Sequence, residues 1–502
     1  MMGSLSLLLA GAVLAASPAP ASLTAEQRAA AFASIDAESD AGSKADLLLA
    51  IAEDPARTPL HAEAWARLGV ILDQAGLDIA AESAWTRSIK LDPTAMGPLV
   101  GIAIDVAQQL GDEGPLGEAL AQAPGFPVDP LTRGRIAEVA GRWALQHDHL
   151  GDAMGLLQLG NPDGPNWPEV LSLLGITLAS QNRSLDAVAP LQDAIRAGER
   201  AGRDDRWLRT QQLNLARTYY AADNYGMAIF HFAELPRSNE YWPEAQFERA
   251  WSHFRADDMP GALGMLMTLE SPFFDDWYYP EADLLRSYSF FMMCKFPEAK
   301  KRIDAFGARY QPIAAEIDRT LPGMDDVAIL DDIRKLRAGQ PTTLPAAMVR
   351  TYSHDDRFAD ALRFVAEADK EVAAPTFAGK RIATVAHSWI EARKAARTAE
   401  EAARVRTRIT EARADLRSML EGIQITGIDI TTLEADLYQR AAATGDLGFG
   451  DPTGRLKKLR KEKVGFTVWP FQGEYWQDEL GWYQIDDRPD CPSDVQVGGP
   501  AR

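Results

Sequence analysis

The sequence predicts an all-α protein: a helical solenoid, then a region of long helices, then a short aromatic C-terminal segment. Three observations predict it. First, a small residue is followed twelve positions later by alanine at Gly69 and Ala81, Gly141 and Ala153, Gly175 and Ala187, Ala216 and Ala228, Ala250 and Ala262, and Ser287 and Ala299. Second, "PEAQFERAWSHFRADDMPGALGMLMTL" from Pro243 returns 37 residues later as "PEADLLRSYSFFMMCKFPEAKKRIDAF" from Pro280. Third, from Ile382 to Ala403 apolar residues advance in alternating steps of three and four, the period of a helix face, and the seam continues to Ile423. A fixed repeat of this length is the mark of a stacked array.

In order along the chain, Leu5 to Ala16 form an apolar run too short to span a bilayer. Ser17-Pro18-Ala19-Pro20-Ala21 then supplies the small residues expected before a signal-peptidase cut after Ala21, although no Lys or Arg precedes the run. The reading is a signal peptide over 1–21 and an exported protein, periplasmic or in the cell envelope. A misassigned start or an uncleaved anchor is the alternative. The mature chain has no expected transmembrane segment. With 46% hydrophobic and 25% charged residues, 502 residues can bury a large core. A net charge of -20 repels nucleic acid and anionic lipid, so no nucleic-acid partner is expected. Two cysteines, Cys294 and Cys491, are too few for a disulfide scaffold or a four-cysteine zinc site.

Residues 22–61 are expected to form a helical cap and 62–313 the array. The small-to-alanine spacing places two antiparallel helices in contact where neither carries a bulky side chain, with a turn midway. Apolar residues frame each crossing. In the first copy Trp65, Leu68 and Leu72 surround Gly69, Trp85 follows Ala81 by four, and Pro93 ends the second helix. Leu191, Phe232, Leu266 and Ile303 hold the place of Trp85 in later copies. Pro243 and Pro280 suit a first helical turn, where the missing N–H costs nothing.

These residues resemble the tetratricopeptide repeat family over 62–95, 168–201, 209–242, 243–276 and 280–313, and in part over 134–160; 96–127 resembles a degenerate copy with "GDEGP" at its turn. The resemblance implies a right-handed superhelix with a concave face that binds peptides or helices. Positions matching the family's inner face are Tyr220, Phe247, Trp251, Phe254, Tyr288 and Phe291. The stripe has two readings, a groove for a partner and a packing face for the chain's own helices.

Over 314–445, residues 356–372 and 380–424 read as helices. The second carries Ile382, Val385, Trp389, Ala392, Ala396, Ala399 and Ala403, then Ile409, Ala412, Leu416, Met419 and Ile423. A hairpin of this helix with 428–445, docked on the end of the array, is the expected arrangement, and self-dimerisation through the seam is the alternative. "GDLGFGDPTG" opens the last region, 446–502. Arg455, Lys457, Lys458, Arg460, Lys461 and Lys463 follow and are expected to contact the protein's own acidic surface, with a nucleic-acid or lipid patch as the alternative.

"VWPFQGEYWQDELGWYQI" at 468–485 gathers Trp469, Phe471, Tyr475, Trp476, Trp482 and Tyr483. A short helix from Glu474 would group Trp476, Leu480 and Tyr483 on one side. Burying such aromatics is worth several kcal/mol at about 25 cal/mol per Å², so the motif requires a receiving surface, and the stripe is one inside the chain. Docking there brings Cys294 and Cys491 together as a disulfide; two unpaired thiols are the alternative. The leader, divergent repeats, long helices and terminal "GEYWQDELGWY" also resemble repeat-containing envelope proteins of gliding bacteria, which implies assembly or scaffolding.

No HExxH, P-loop, dinucleotide-binding fingerprint or nucleophile elbow occurs in context, so no catalytic residue, cofactor or metal is expected. His147 and His149 lack further ligands, and Glu474 with Asp478 imitates a paired-carboxylate site without a visible pocket. The sequence therefore reads as an exported scaffold for other envelope proteins or peptides. A self-assembling structural protein and an enzyme using the array as a substrate platform are the competing classes.

Overall fold

The computed structural model of the chain describes residues 24–271, 274, 278–353, 355–444, 466–470 and 482–486. The leader, the basic run, Phe471, Tyr475, Trp476 and Cys491 lie outside the described residues. Among them the architecture is an α-solenoid followed by one very long helix and a small hairpin. The helices are α1 (Ala25–Asp36), α2 (Ala41–Glu53), α3 (His61–Gln74), α4 (Asp78–Leu91), α5 (Leu99–Leu110), α6 (Gly114–Gln122), α7 (Pro130–Gln146), α8 (Leu150–Leu157), α9 (Trp167–Ser180) and α10 (Ser184–Ala201). They continue with α11 (Asp205–Ala221), α12 (Tyr225–Ala233), α13 (Trp242–Arg255), α14 (Met259–Thr268), α15 (Pro280–Met292), α16 (Phe296–Thr320), α17 (Asp326–Arg337), α18 (Ala346–Ser353), α19 (Asp356–Ala373) and α20 (Arg381–Thr444). Strands β1 (Phe466–Pro470) and β2 (Trp482–Asp486) pair antiparallel.

From α3 to α16 the helices pair consecutively, and each small residue of the sequence pattern lies at the crossing within a pair. At the three glycine crossings its partner is the bulky residue four places after the alanine. A Cβ on Gly69 would sit 2.3 Å from the Trp85 indole, and one on Gly141 or Gly175 would sit 2.6 Å from Leu157 or Leu191. The close approach lets large side chains fill the space between helices at crystal-like density.

The turns obey a second rule. Seven residues after each small residue the backbone is left-handed, at Gly76, Asp148, Asn182, Asp223, Asp257 and Cys294, with φ between 53° and 72°. The following N–H then reaches back to close the helix end, as in Leu77 to the Leu72 carbonyl and Lys295 to the Phe290 carbonyl, both 2.9 Å. Gly111 makes the same turn between α5 and α6, which accounts for the degenerate copy. Gly, Asn and Asp tolerate this conformation; cysteine is the exception in the series.

Helix α20 corrects the expected hairpin. It runs unbroken through 425–427 for 64 residues, about 96 Å at 1.5 Å per residue. Gly427 is helical, and Thr426, Thr431 and Thr432 each donate a hydroxyl to the carbonyl four residues back. The cause is packing that never changes phase: Ile409, Leu416, Ile423, Ile430 and Leu437, seven residues apart, are all buried. The helical partner of α20 is instead α19, joined to it by residues 374–380. Helices α17 and α18, absent from the sequence reading, complete the core beneath its middle.

Candidate functional site

The chain's own long helix bridges the two ends of the array. Contacts of α20 run from α2 and α4 at one end to α15 and α16 at the other. Ile382, Ala386 and Ile390 join the core built by α1 to α8, whereas Ile430 and Leu437 join Phe291, Phe296 and Ala299. The cores of the intervening α9 to α14 do not include α20.

Its start is fixed by polar groups. Asp46 of α2 accepts from the backbone N–H groups of Arg381 (3.2 Å) and Ile382 (2.6 Å), satisfying donors that a helix N-terminus leaves free. Trp389 packs on Trp65 at 5.4 Å between ring centroids, and the Arg87 guanidinium lies 4.2 Å from the Trp389 ring. One turn on, Arg393 reaches between two array carboxylates, Glu82 of α4 and Asp112 of the α5–α6 turn, the latter at 2.7 Å. Burial pushes Glu82 up to about 7 even with Arg393 against it. Burial also opposes the Arg393 charge, but Glu82 and Asp112 more than offset it and its pKa rises. Both shifts are upward, that of Glu82 from burial with Asp112 adding to it, and that of Arg393 from the two carboxylates beside it.

Beside it, Glu371 of α19 accepts from the Ile79 N–H at 2.9 Å. Helix α4 has no side-chain cap of its own, so the arm formed by α19 and α20 supplies one. Glu371 is buried, and that burial pushes it up to about 7.

At the far end the aromatic stripe is covered only in part. Phe254 and Phe291 are buried, and Tyr220, Phe247, Trp251 and Tyr288 are half-buried. Tyr288 meets α20, its hydroxyl 3.5 Å from a Cβ position on Gly422, and Phe291 packs with Ile430 and Leu437. Phe247 faces Tyr279 at 5.7 Å and Trp251 meets Phe254 edge-on. The stripe is thus divided: its last repeat packs on α20, and Phe247 and Trp251 pack within the core of α13 to α15.

The C-terminal motif differs from the expected helix where it is described. Trp469 of β1 pairs with Tyr483 of β2, and Pro470 with Trp482. Both segments are rich in the aromatic and β-branched residues that favour strands, a signal hidden by the helical spacing of Trp476, Leu480 and Tyr483. Strand β2 lies against α14. Cys294, 2% exposed among Phe291, Phe296 and Leu437, is disulfide-bonded. The chain's only other cysteine, Cys491, lies outside the described residues.

His147 and His149 pack around Trp143 at 4.6 and 5.5 Å, and His147 Nδ1 lies 2.8 Å from the Trp143 carbonyl, so its ring is committed to packing. Among the described residues no cluster of three or more His, Cys, Asp or Glu could hold a metal, and no helix is long and apolar enough to cross a membrane. Glu474 and Asp478 lie outside the described residues. Sequence reasoning missed Glu82, Asp112, Glu371 and Arg393, whose partners are up to 311 residues apart. The only local signal was a carboxylate on the buried side of α4, one residue past Ala81. The chain matches no protein-family model, and no curated protein matches it.

Proposed function

We propose that this chain is an exported scaffold of the bacterial cell envelope, a solenoid of the tetratricopeptide type stiffened by its own long helix, which assembles other envelope proteins or peptides. The observation that carries this reading is α20 tying both ends of the array. A flexible peptide clamp gains nothing from such a brace; a platform that fixes partners at set distances does. The leader-like start and the resemblance of the repeats and terminal motif to envelope proteins support the location and the role.

The aromatic C-terminal segment acts as a latch over the last repeats. Strand β2 against α14 and the bonded state of Cys294 support this, with Cys491 as the bridge partner. Cross-linking in intact envelopes followed by mass spectrometry tests the scaffold: reproducible links to one or a few envelope proteins are expected, and links to none would refute it. Trimming the chain after Gly450 tests the latch, which predicts increased hydrophobic-dye binding. A second reading, self-assembly, is favoured by Ile425 and Ile428, which are 59% and 65% exposed on the outer side of α20. A monomeric mass in solution at high protein concentration would exclude it.

A further inference from the structure

Between the array and its long helix lies a cavity of about 580 Å³, walled by the α5–α6 turn, α7, α19 and α20. That volume is in the range of small-molecule sites. Its charge is unlike the chain's. Four guanidiniums line it, from Arg142, Arg357, Arg363 and Arg397, together with five carboxylates. Two of those carboxylates are engaged by cations outside the lining, Asp112 by Arg393 at 2.7 Å and Glu118 by Lys90 at 2.6 Å. Arg142 is in turn engaged by Glu138, also outside the lining, so Arg357, Arg363 and Arg397 face Glu113, Asp360 and Glu400, three charges of each sign in a protein of net charge -20.

Arg397 is the group the fold leaves wanting. Its side chain is only 8% exposed, its nearest carboxylate, Glu400, stands 3.7 Å away, and its Nε has no hydrogen-bond partner. Arg357 is likewise held only loosely, 3.9 Å from Glu400. Arg142 Nε, 3.6 Å from Glu113, is a second buried Nε outside hydrogen-bond reach, although the same guanidinium is engaged by Glu138. A guanidinium presents five donors in a rigid fork, and leaving a buried one without acceptors is costly. The complement of that fork is a carboxylate or phosphate taken in two-point fashion. Trp143 gives the same cavity an aromatic wall against which the body of a ligand can pack.

We propose that this cavity binds a small organic anion, a carboxylate or a phosphate monoester, through Arg397 and Arg357, with Trp143 beside the ligand's ring or chain. Because one wall is the array and the other the α19–α20 arm, the bound anion joins the two parts across their seam. The site is independent of the scaffold reading: anion binding is a property of the isolated chain, whereas scaffolding is read by cross-links to partners.

The test is titration calorimetry on the full-length mature protein with inorganic phosphate, glucose 6-phosphate and glucuronate, and glucose as the neutral control. Glucose 6-phosphate, glucuronate or both are expected to bind, glucose is not, and the affinity should fall as sodium chloride is raised. Preference between the two organic anions assigns the phosphate or the carboxylate. Arg397→Met should weaken binding about tenfold or more, the loss of a charge-assisted pair. Arg357→Gln, at an exposed side chain whose change the fold tolerates, should weaken it about threefold to tenfold and provides the reading if Arg397→Met does not fold. Binding of glucose equal to that of the anions, no binding of either organic anion at 10 mM, or binding indifferent to Arg357→Gln would overturn the proposal; binding of inorganic phosphate alone, unaffected by either variant, would do the same.

Discussion

Replacing Gly69 with alanine adds one methyl group, and the structure says where it goes. The new Cβ would lie 2.3 Å from Trp85 Nε1 and 2.4 Å from Cδ1, distances at which the ring must move. Trp85 is fully buried and its indole N–H donates to the Ala66 carbonyl at 3.2 Å, so moving the ring disturbs a packed core and a buried hydrogen bond together. Overpacking costs about 1–3 kcal/mol, and a strained hydrogen bond up to about 1.5 kcal/mol more. Against this, alanine is the better helix former by about 0.5–1 kcal/mol. The net expectation is a loss of about 1–3 kcal/mol. Gly155→Ala, inside α8 with nothing within 4 Å of the added carbon, should instead gain up to about 1 kcal/mol. Urea unfolding followed by tryptophan fluorescence should show a lower midpoint for Gly69→Ala and a higher or equal one for Gly155→Ala. Adding Trp85→Leu to Gly69→Ala should cost less than the sum of the two single changes, because the smaller ring position relieves the clash. A Gly69→Ala protein as stable as the parent, or strict additivity in the double change, would refute the crossing geometry.

Arg393→Met should cost about 3–5 kcal/mol by leaving Glu82 and Asp112 buried without their cation; the loss should be smaller at pH 6 than at pH 8, where Glu82 is charged, and equal losses in urea titrations at the two pH values would contradict the assignment. Glu371 has a folded pKa of about 7 against an ordinary 4.5, so its contribution is fully present below pH 4.5 and is lost as pH rises through 7. Glu371→Gln keeps an acceptor for the Ile79 N–H and should flatten the stability profile between pH 5 and 8, by about 1–3 kcal/mol in total at 1.36 kcal/mol per pKa unit; an unchanged slope would exclude Glu371 as its source. Cys294 holds a left-handed turn that Asn or Asp holds elsewhere. With the bridge lost in both, Cys294→Asn should therefore lie about 1 kcal/mol or more above Cys294→Val in thermal denaturation, and equal stability would argue against the turn.

The array was legible because its physics is local. Each crossing is announced by Gly69 and its counterparts twelve residues before an alanine, and each partner, such as Trp85 or Leu191, stands at a fixed offset. The left-handed turn residues were equally open to reading, since Gly76, Asp148, Asn182, Asp223 and Asp257 share one spacing. The hairpin expected near 425–427 failed for a different reason. Gly427 is a weak helix former, but the seam from Ile409 to Leu437 continues past it in phase, and burial along α16 outweighs about 1 kcal/mol of propensity. Spacing from Glu474 to Tyr483 suggested a helix, whereas pairing of Trp482 and Tyr483 with β1 makes them a strand, because ladder partners lie outside any local window. The polar contacts that seat the arm on the array were out of reach altogether. Nothing in the sequence around Glu82 tells that a cation 311 residues away will be inserted beside it.

The proposed scaffold requires α20 to be one unbroken element that holds both ends of the array. Spin labels introduced at the exposed positions Glu411 and Gln439 flank the stretch where a hairpin would turn. Twenty-eight residues of continuous helix place them about 42 Å apart at 1.5 Å per residue. A pulsed dipolar measurement on the full-length protein should give a single narrow distribution near that distance. A dominant separation below about 25 Å, the spacing of strands of a helical hairpin, would contradict the brace and with it the scaffold built upon it.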